Sequence, residues 1–119
     1  MIAPPPAIHE PFTLLPCPAK QISTLDYEGC AEHAIVRTDT QIDTLTRQIF
    51  GRIRTKDGRA AFVRSEAAWL VYRKTSCAAA ASKYAGGTFA GIVDSQCQAD
   101  RNRVHVGELR DLLKTLSTP

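Results

Sequence analysis

Trp69-Leu-Val-Tyr72-Arg73-Lys-Thr-Ser-Cys77, followed by Tyr84-Ala-Gly86-Gly87-Thr88 and then by Cys97, is the stretch that decides the fold. Trp69, Arg73 and Cys77 recur at four-residue steps and Tyr72 stands three after Trp69, which lines all four along one side of an α-helix. Gly86 and Gly87 tolerate the positive φ that ends a helix, and Thr88 is a suitable N-cap for the next one, its hydroxyl free to accept a backbone N–H. A tight helix-to-helix return follows. At about 3.6 residues per turn, Cys77 lies about two to three turns before that return and Cys97 about two and a half turns after Thr88, so the thiols can sit level on facing helices. A bridge there closes a loop of about 20 residues and contributes on the order of 3 kcal/mol, mainly by restricting the unfolded chain.

Working outward, Lys56-Asp57-Gly58 is the strongest turn signal before this hairpin. The spacing predicts a second helix from about Arg59 to about Ser82 and a third from Thr88 to about Leu116. The third has Ile92, Val93, Cys97, Val104, Leu109, Leu112, Leu113 and Leu116 as buried candidates, with Gly107 weakening its middle by about 1 kcal/mol. A first helix starts at Ser23, where Ser23-x-x-Asp26 reads as a capping box and Asp26 and Glu28 stand in the first turn. Its apolar face runs Ala31, Ala34, Ile35, Thr38, Ile42, Leu45, Ile49 and Ile53, the longest periodic signal in the chain. The fold class is therefore all-α: a three-helix antiparallel up-down bundle stapled by two disulfides. Residues 1–22 hold six of the seven prolines and read as an extended, partly mobile lead-in, leaving 23–119 as the helical domain. Cys17 pins the lead-in down. Cys30, Cys77 and Cys97 fall near one end of such a bundle, so two pairings stay open. Cys17 with Cys30 and Cys77 with Cys97 is favoured over Cys17 with Cys97 and Cys30 with Cys77.

The chain has 119 residues, 44% of them hydrophobic, which suits one domain with a modest core. An even number of cysteines without any C-x-x-C pair points to disulfides, hence the periplasm or the exterior, and away from a zinc site or a cytosolic thiol protein. Met1-Ile-Ala-Pro4-Pro5-Pro6 is no export signal, so the expectation is a secreted chain whose signal has been removed. Pro16 beside Cys17 argues against a lipobox at Leu14-Leu15-Pro16-Cys17, and no run reaches the roughly 20 apolar residues of a membrane span. A net charge of +3 is too small to imply nucleic acid. Arg101, Arg103 and Arg110 form a basic run, but Asp100, Glu108 and Asp111 dilute it, and it reads as a solvated helix face.

The segments Cys30-Ala-Glu32, Arg64-x-Glu66-x-x-Trp69-x-x-Tyr72-Arg73-x-x-x-Cys77, Tyr84-x-Gly86-Gly87-Thr88, Cys97 and Glu108-Leu109 together resemble the lysozyme inhibitor LprI-like family, over about residues 17 to 113. The resemblance implies a small, helical, disulfide-containing bacterial protein of the periplasm or cell envelope, and the family name comes from a mycobacterial member that inhibits lysozyme. The function it implies is binding and blocking of a peptidoglycan hydrolase, a lysozyme or a delivered toxin, without chemistry of its own. An immunity protein against a competitor's effector, or an accessory envelope domain with no inhibitory activity, is the alternative. The partner is then a protein, with homodimerisation open, and no cofactor, nucleic acid or membrane span is implied.

The titratable residues do not assemble a recognisable catalytic set. His9 lies in the lead-in, His33 beside Glu32 and His105 in the third helix, at no metal-ligand spacing; Asp39 and Asp43 are one turn apart, as exposed acids commonly are. Trp69 and Tyr72 are expected to fill the core, with Arg73 paired to an acid such as Glu32 or Glu66. As types that dominate binding hot spots, part of this cluster can instead be an exposed anchor, and Arg73 is a candidate for it. The binding residues otherwise expected are Tyr84, Gly86, Gly87, Thr88 and Phe89, a rigid turn braced by a disulfide and insertable into a cleft at little entropic cost. A helix-linking turn with no partner is the plainer reading of the same residues.

Overall fold

In the computed structural model, which describes residues 1–118, three helices run up, down and up. Helix α1 spans Thr24–Arg52 and opens on a complete capping box: the Ser23 hydroxyl accepts the Asp26 N–H, and the Asp26 carboxylate accepts the N–H of Ser23. Helix α2 spans Lys56–Ala81. It starts ahead of the expected position because Thr55 is the better N-cap, its hydroxyl accepting the Gly58 N–H at 3.0 Å. Lys56-Asp57-Gly58 is thus the first turn of α2, and the chain reverses through Ile53, Arg54 and Thr55. A short 3-10 turn, Ser82–Tyr84, leads out of α2, and α3 spans Phe89–Ser117.

Helices α1 and α3 lie side by side and parallel. Ile35 meets Ala99, and Ile42, Leu45 and Ile49 meet Val106 and Leu109. The buried positions step by alternating threes and fours, Ala31, Ile35, Thr38, Ile42, Leu45 and Ile49 on α1 against Ile92, Ser95, Ala99, Asn102, Val106 and Leu109 on α3. That 3.5-residue period is the seam of a coiled coil. Helix α2 runs antiparallel to both, with Cys77 level with Cys97, Arg73 with Asn102 and Phe62 near Leu109 on α3. It packs on α3 and hardly approaches α1.

The gap between α1 and α2 is filled by the proline-rich lead-in. Ile8 and Phe12 pack against the two core clusters, the Ile8 N–H donates to Asp43 on α1, and Glu10 pairs with Arg73 on α2. Farther along, the Leu15 N–H donates to Glu32 and the Leu15 carbonyl bonds His33. Gly29 is required where this strap crosses α1, because a Cβ there would collide with the Pro16 carbonyl. The disulfides are Cys17–Cys30, which ties the strap to α1, and Cys77–Cys97, which ties α2 to α3.

The expected apolar face of α1 is buried from Ala31 to Ile49, with Ile53 half-buried at the C-cap. That of α3 is only partly where the apolar residues suggested: Ile92 and Leu109 are buried and Val93, Cys97, Leu113 and Leu116 half-buried. Val104 is 64% and Leu112 37% exposed, while Ser95, Asn102 and His105 are buried instead. The α3 core stripe carries polar side chains, so hydrophobicity alone misplaces it.

Candidate functional site

At the disulfide end, α2 passes into α3 through residues 82 to 88. The Ser82 hydroxyl donates to the Ala79 carbonyl at 2.6 Å, the Ala85 N–H to the Ser82 carbonyl at 3.2 Å and the Gly87 N–H to the Tyr84 carbonyl at 3.1 Å, so three hydrogen bonds hold the return. Gly86 holds φ at 85°, a conformation that a side chain there would strain. Thr88 stands at the N-cap of α3 but is helical, φ −70° and ψ −20°, and its hydroxyl caps nothing. An N-cap side chain reaches the helix N–H groups from extended backbone, which explains the departure from the expected cap.

Tyr84 and Phe89 close over the turn edge to face, centroids 4.9 Å apart at 80°, and the Lys83 ammonium lies 5.8 Å from the Tyr84 ring. Ala85, Gly86, Gly87, Thr88 and Phe89 are exposed and Tyr84 is half-buried. About two turns below, Cys77–Cys97 joins the two helices with Cα atoms 5.5 Å apart. Beside the turn, the start of α1 exposes Ile22, Leu25 and Tyr27. Glu28 there lies against Gly91 of α3, and burial, then the charges of Glu32 and Asp94, raise its carboxyl above the ordinary range.

Tyr84, Gly86, Gly87, Thr88 and Phe89 therefore come together at one tip, and Arg73 does not join them. Eleven residues earlier on α2, about 16 Å away along the helix, Arg73 is fully buried and cannot touch a partner. Nor are its partners Glu32 and Glu66, which bond Leu15 and His105. Arg73 Nη2 donates to Glu10 at 2.7 Å, and Nη1 donates to Asp39 at 3.0 Å and Asn102 at 3.1 Å. Its Nε finds no acceptor among the described residues, but the guanidinium lies 5.9 Å from the centre of the Trp69 ring. Asn102 donates onward to Thr38 and Asp39 at 2.9 Å. The layer thus ties together the strap and all three helices.

Two carboxylates share that one cation. Burial, then the bond and charge of Glu10, raise Asp39 to about 7 against the pull of Asn102 and Arg73. Burial also pushes Glu10 up, but the bonds to Asp39 and Arg73 outweigh it and hold Glu10 below its ordinary value. Asp39 near neutrality keeps a proton for Glu10. Asp39 and Asp43 are not the exposed pair that their spacing suggested: Asp39 is enclosed in this layer and Asp43 holds the strap through Ile8.

Trp69 is half-buried and stacks on His105, centroids 3.8 Å apart and 9° from parallel, while His105 bonds Glu66 at 2.9 Å. Tyr72, expected in the core, is 50% exposed, because the side of α2 that would bury it faces outward; Arg101 lies over its ring instead. Glu10 of the strap and the polar stripe of α3 escaped the sequence reading. The stripe is signalled only by the 3.5-residue spacing of Ser95 and Asn102 with their apolar neighbours, and Glu10 by nothing in the sequence.

A family model described as lysozyme inhibitor LprI matches residues 17–109. No curated protein and no solved structure matches the chain.

Proposed function

The chain belongs to the lysozyme inhibitor LprI family, and from that premise we propose that it binds a peptidoglycan hydrolase and occludes its substrate cleft with the turn at residues 84–89. The match over residues 17–109, which includes the turn at 84–89 and all four cysteines, is the observation that carries this reading. The geometry supports it. An exposed turn, held by internal hydrogen bonds and braced by Cys77–Cys97, enters a cleft with little ordering left to do, and Tyr84 and Phe89 offer rigid aromatic surface for the contact. Inhibition of this kind is heterodimer formation without chemistry. Two disulfides support a working compartment on the oxidising side of a membrane, the periplasm or the exterior, where such hydrolases act. Among the described residues, no helix is long and apolar enough to cross a membrane.

The target class is read from lysis of peptidoglycan by animal-type, goose-type and bacterial hydrolases with stoichiometric oxidised protein, each repeated after reduction. Inhibition of one class, lost on reduction, supports the reading and identifies the target. Lysis unaffected in every class would leave an accessory envelope domain or an immunity protein for a hydrolase outside the panel.

A further inference from the structure

The end of the bundle opposite the disulfides collects charge from three helix ends, the close of α1, the start of α2 and the close of α3. Residues 47–59 and 110–118 carry seven cations, among them Arg52, Arg54, Lys56, Arg59 and Lys114, against two carboxylates, Asp57 and Asp111. This end is net +5, more than the +3 of the whole chain, so everything else, the turn at 84–89 included, is net −2. The fold makes one surface of it: α1 ends where α2 begins, and Arg52 donates to Ser117 at the end of α3. The side chains of Arg54, Lys56 and Lys114 are exposed and form no hydrogen bond or ion pair among the described residues. Arg59 spends only its Nε, on the Ile53 carbonyl at 2.9 Å, and lies over Phe50. The molecule is 50 Å long, several times the Debye length of about 10 Å at 0.1 M salt, so its two ends act independently on charged partners.

We propose that this basic end docks on an anionic phospholipid surface, holding the protein upright on a membrane with the disulfide-braced turn pointing away from it. Each basic residue brought to such a surface contributes about 1 kcal/mol, which is about a fivefold gain in partitioning. Phe50 and Ile53 are half-buried beneath the cations and Leu112 is only 37% exposed, so the end offers no large apolar wedge to insert. The contact is therefore with headgroups, reversible and salt-sensitive.

The test is co-sedimentation of the full oxidised chain with vesicles of phosphatidylcholine alone and of phosphatidylcholine with phosphatidylglycerol. Binding is expected to the second only, at low salt, and to disappear at high salt. The triple variant Arg54→Glu, Lys56→Glu, Lys114→Glu, its fold checked by circular dichroism, is expected to lose it by a hundredfold or more, the compounded effect of about fivefold per cation. The variant Lys20→Glu, Arg37→Glu, Lys83→Glu makes the same charge change elsewhere and is expected to retain most of the binding. Equal binding to both vesicle types, equal loss in both variants, or binding to soluble polyphosphate without any to vesicles would overturn the proposal.

Discussion

The two halves of the bundle are held by different forces. Away from the disulfides, Ile42, Leu45, Ile49, Phe62, Val106 and Leu109 form one apolar cluster, with Trp69, Leu113 and Leu116 at its edge and no covalent link. Around the disulfides the buried cluster is only Ala34, Ile35 and Ala99, with Phe12 of the strap against it. Alanines let helices approach closely but remove little apolar surface from water, and stabilisation follows that surface at about 25 cal/mol per Å². Two disulfides and the Arg73 layer supply what burial does not. A tip held by bonds rather than by bulk remains rigid while it exposes Phe89, Leu25 and Ile22.

The sharpest break in this comparison is Arg73→Met. It leaves Glu10 and Asp39 buried without their cation, and urea denaturation should show a loss of about 4 kcal/mol. Cys77→Ala with Cys97→Ala and Leu109→Ala should each cost about 3 kcal/mol but in different places. Amide hydrogen exchange should quicken near the turn in the first and around residues 42–49 in the second; equal loss throughout both would mean that the halves are not separable.

The polar layer also makes stability depend on pH. Asp39 has a folded pKa of about 7, above its unfolded value of 3.8, so the folded state binds its proton more tightly. That contribution is complete below about pH 3.8 and is lost as pH rises through about 7. Glu10, held below its ordinary value, works the other way and weakens the strap as acid protonates it. The thermal midpoint should peak in mild acid and decline toward pH 8, and Asp39→Asn should flatten the decline.

The smallest contrast lies between two N-caps. Ser23→Ala removes half of a capping box and should cost about 1 kcal/mol, whereas Thr88→Ala removes a hydroxyl that caps nothing and should stay within about 0.5 kcal/mol in the same unfolding measurement.

The apolar half and the course of the chain were legible in the sequence because α1 is regular. Its steps of three and four run unbroken from Ala31 to Ile49, and the family resemblance agreed with them. The polar half was not legible. Arg73 reaches acids 63 and 34 residues away in sequence, one of them in a proline-rich segment with no period to mark it. Asn102 sits at a core position of the α1–α3 seam, where a polar residue specifies register at a cost in stability, a choice that hydrophobicity does not reveal. The basic end was missed for a different reason: Arg52, Arg54, Lys56 and Arg59 fall within eight residues of sequence but straddle the reversal from α1 to α2, and only the fold brings the end of α3 beside them.

The turn itself is tested by a lysis titration against the hydrolase class that the protein inhibits, run side by side on the wild type and on Tyr84→Ala with Thr88→Ala. Neither substituted side chain belongs to either buried cluster. The expected result is an unchanged unfolding midpoint with inhibition weakened at least tenfold. Inhibition equal to that of the wild type from a folded double variant would contradict the assignment of residues 84–89 as the surface that closes the cleft.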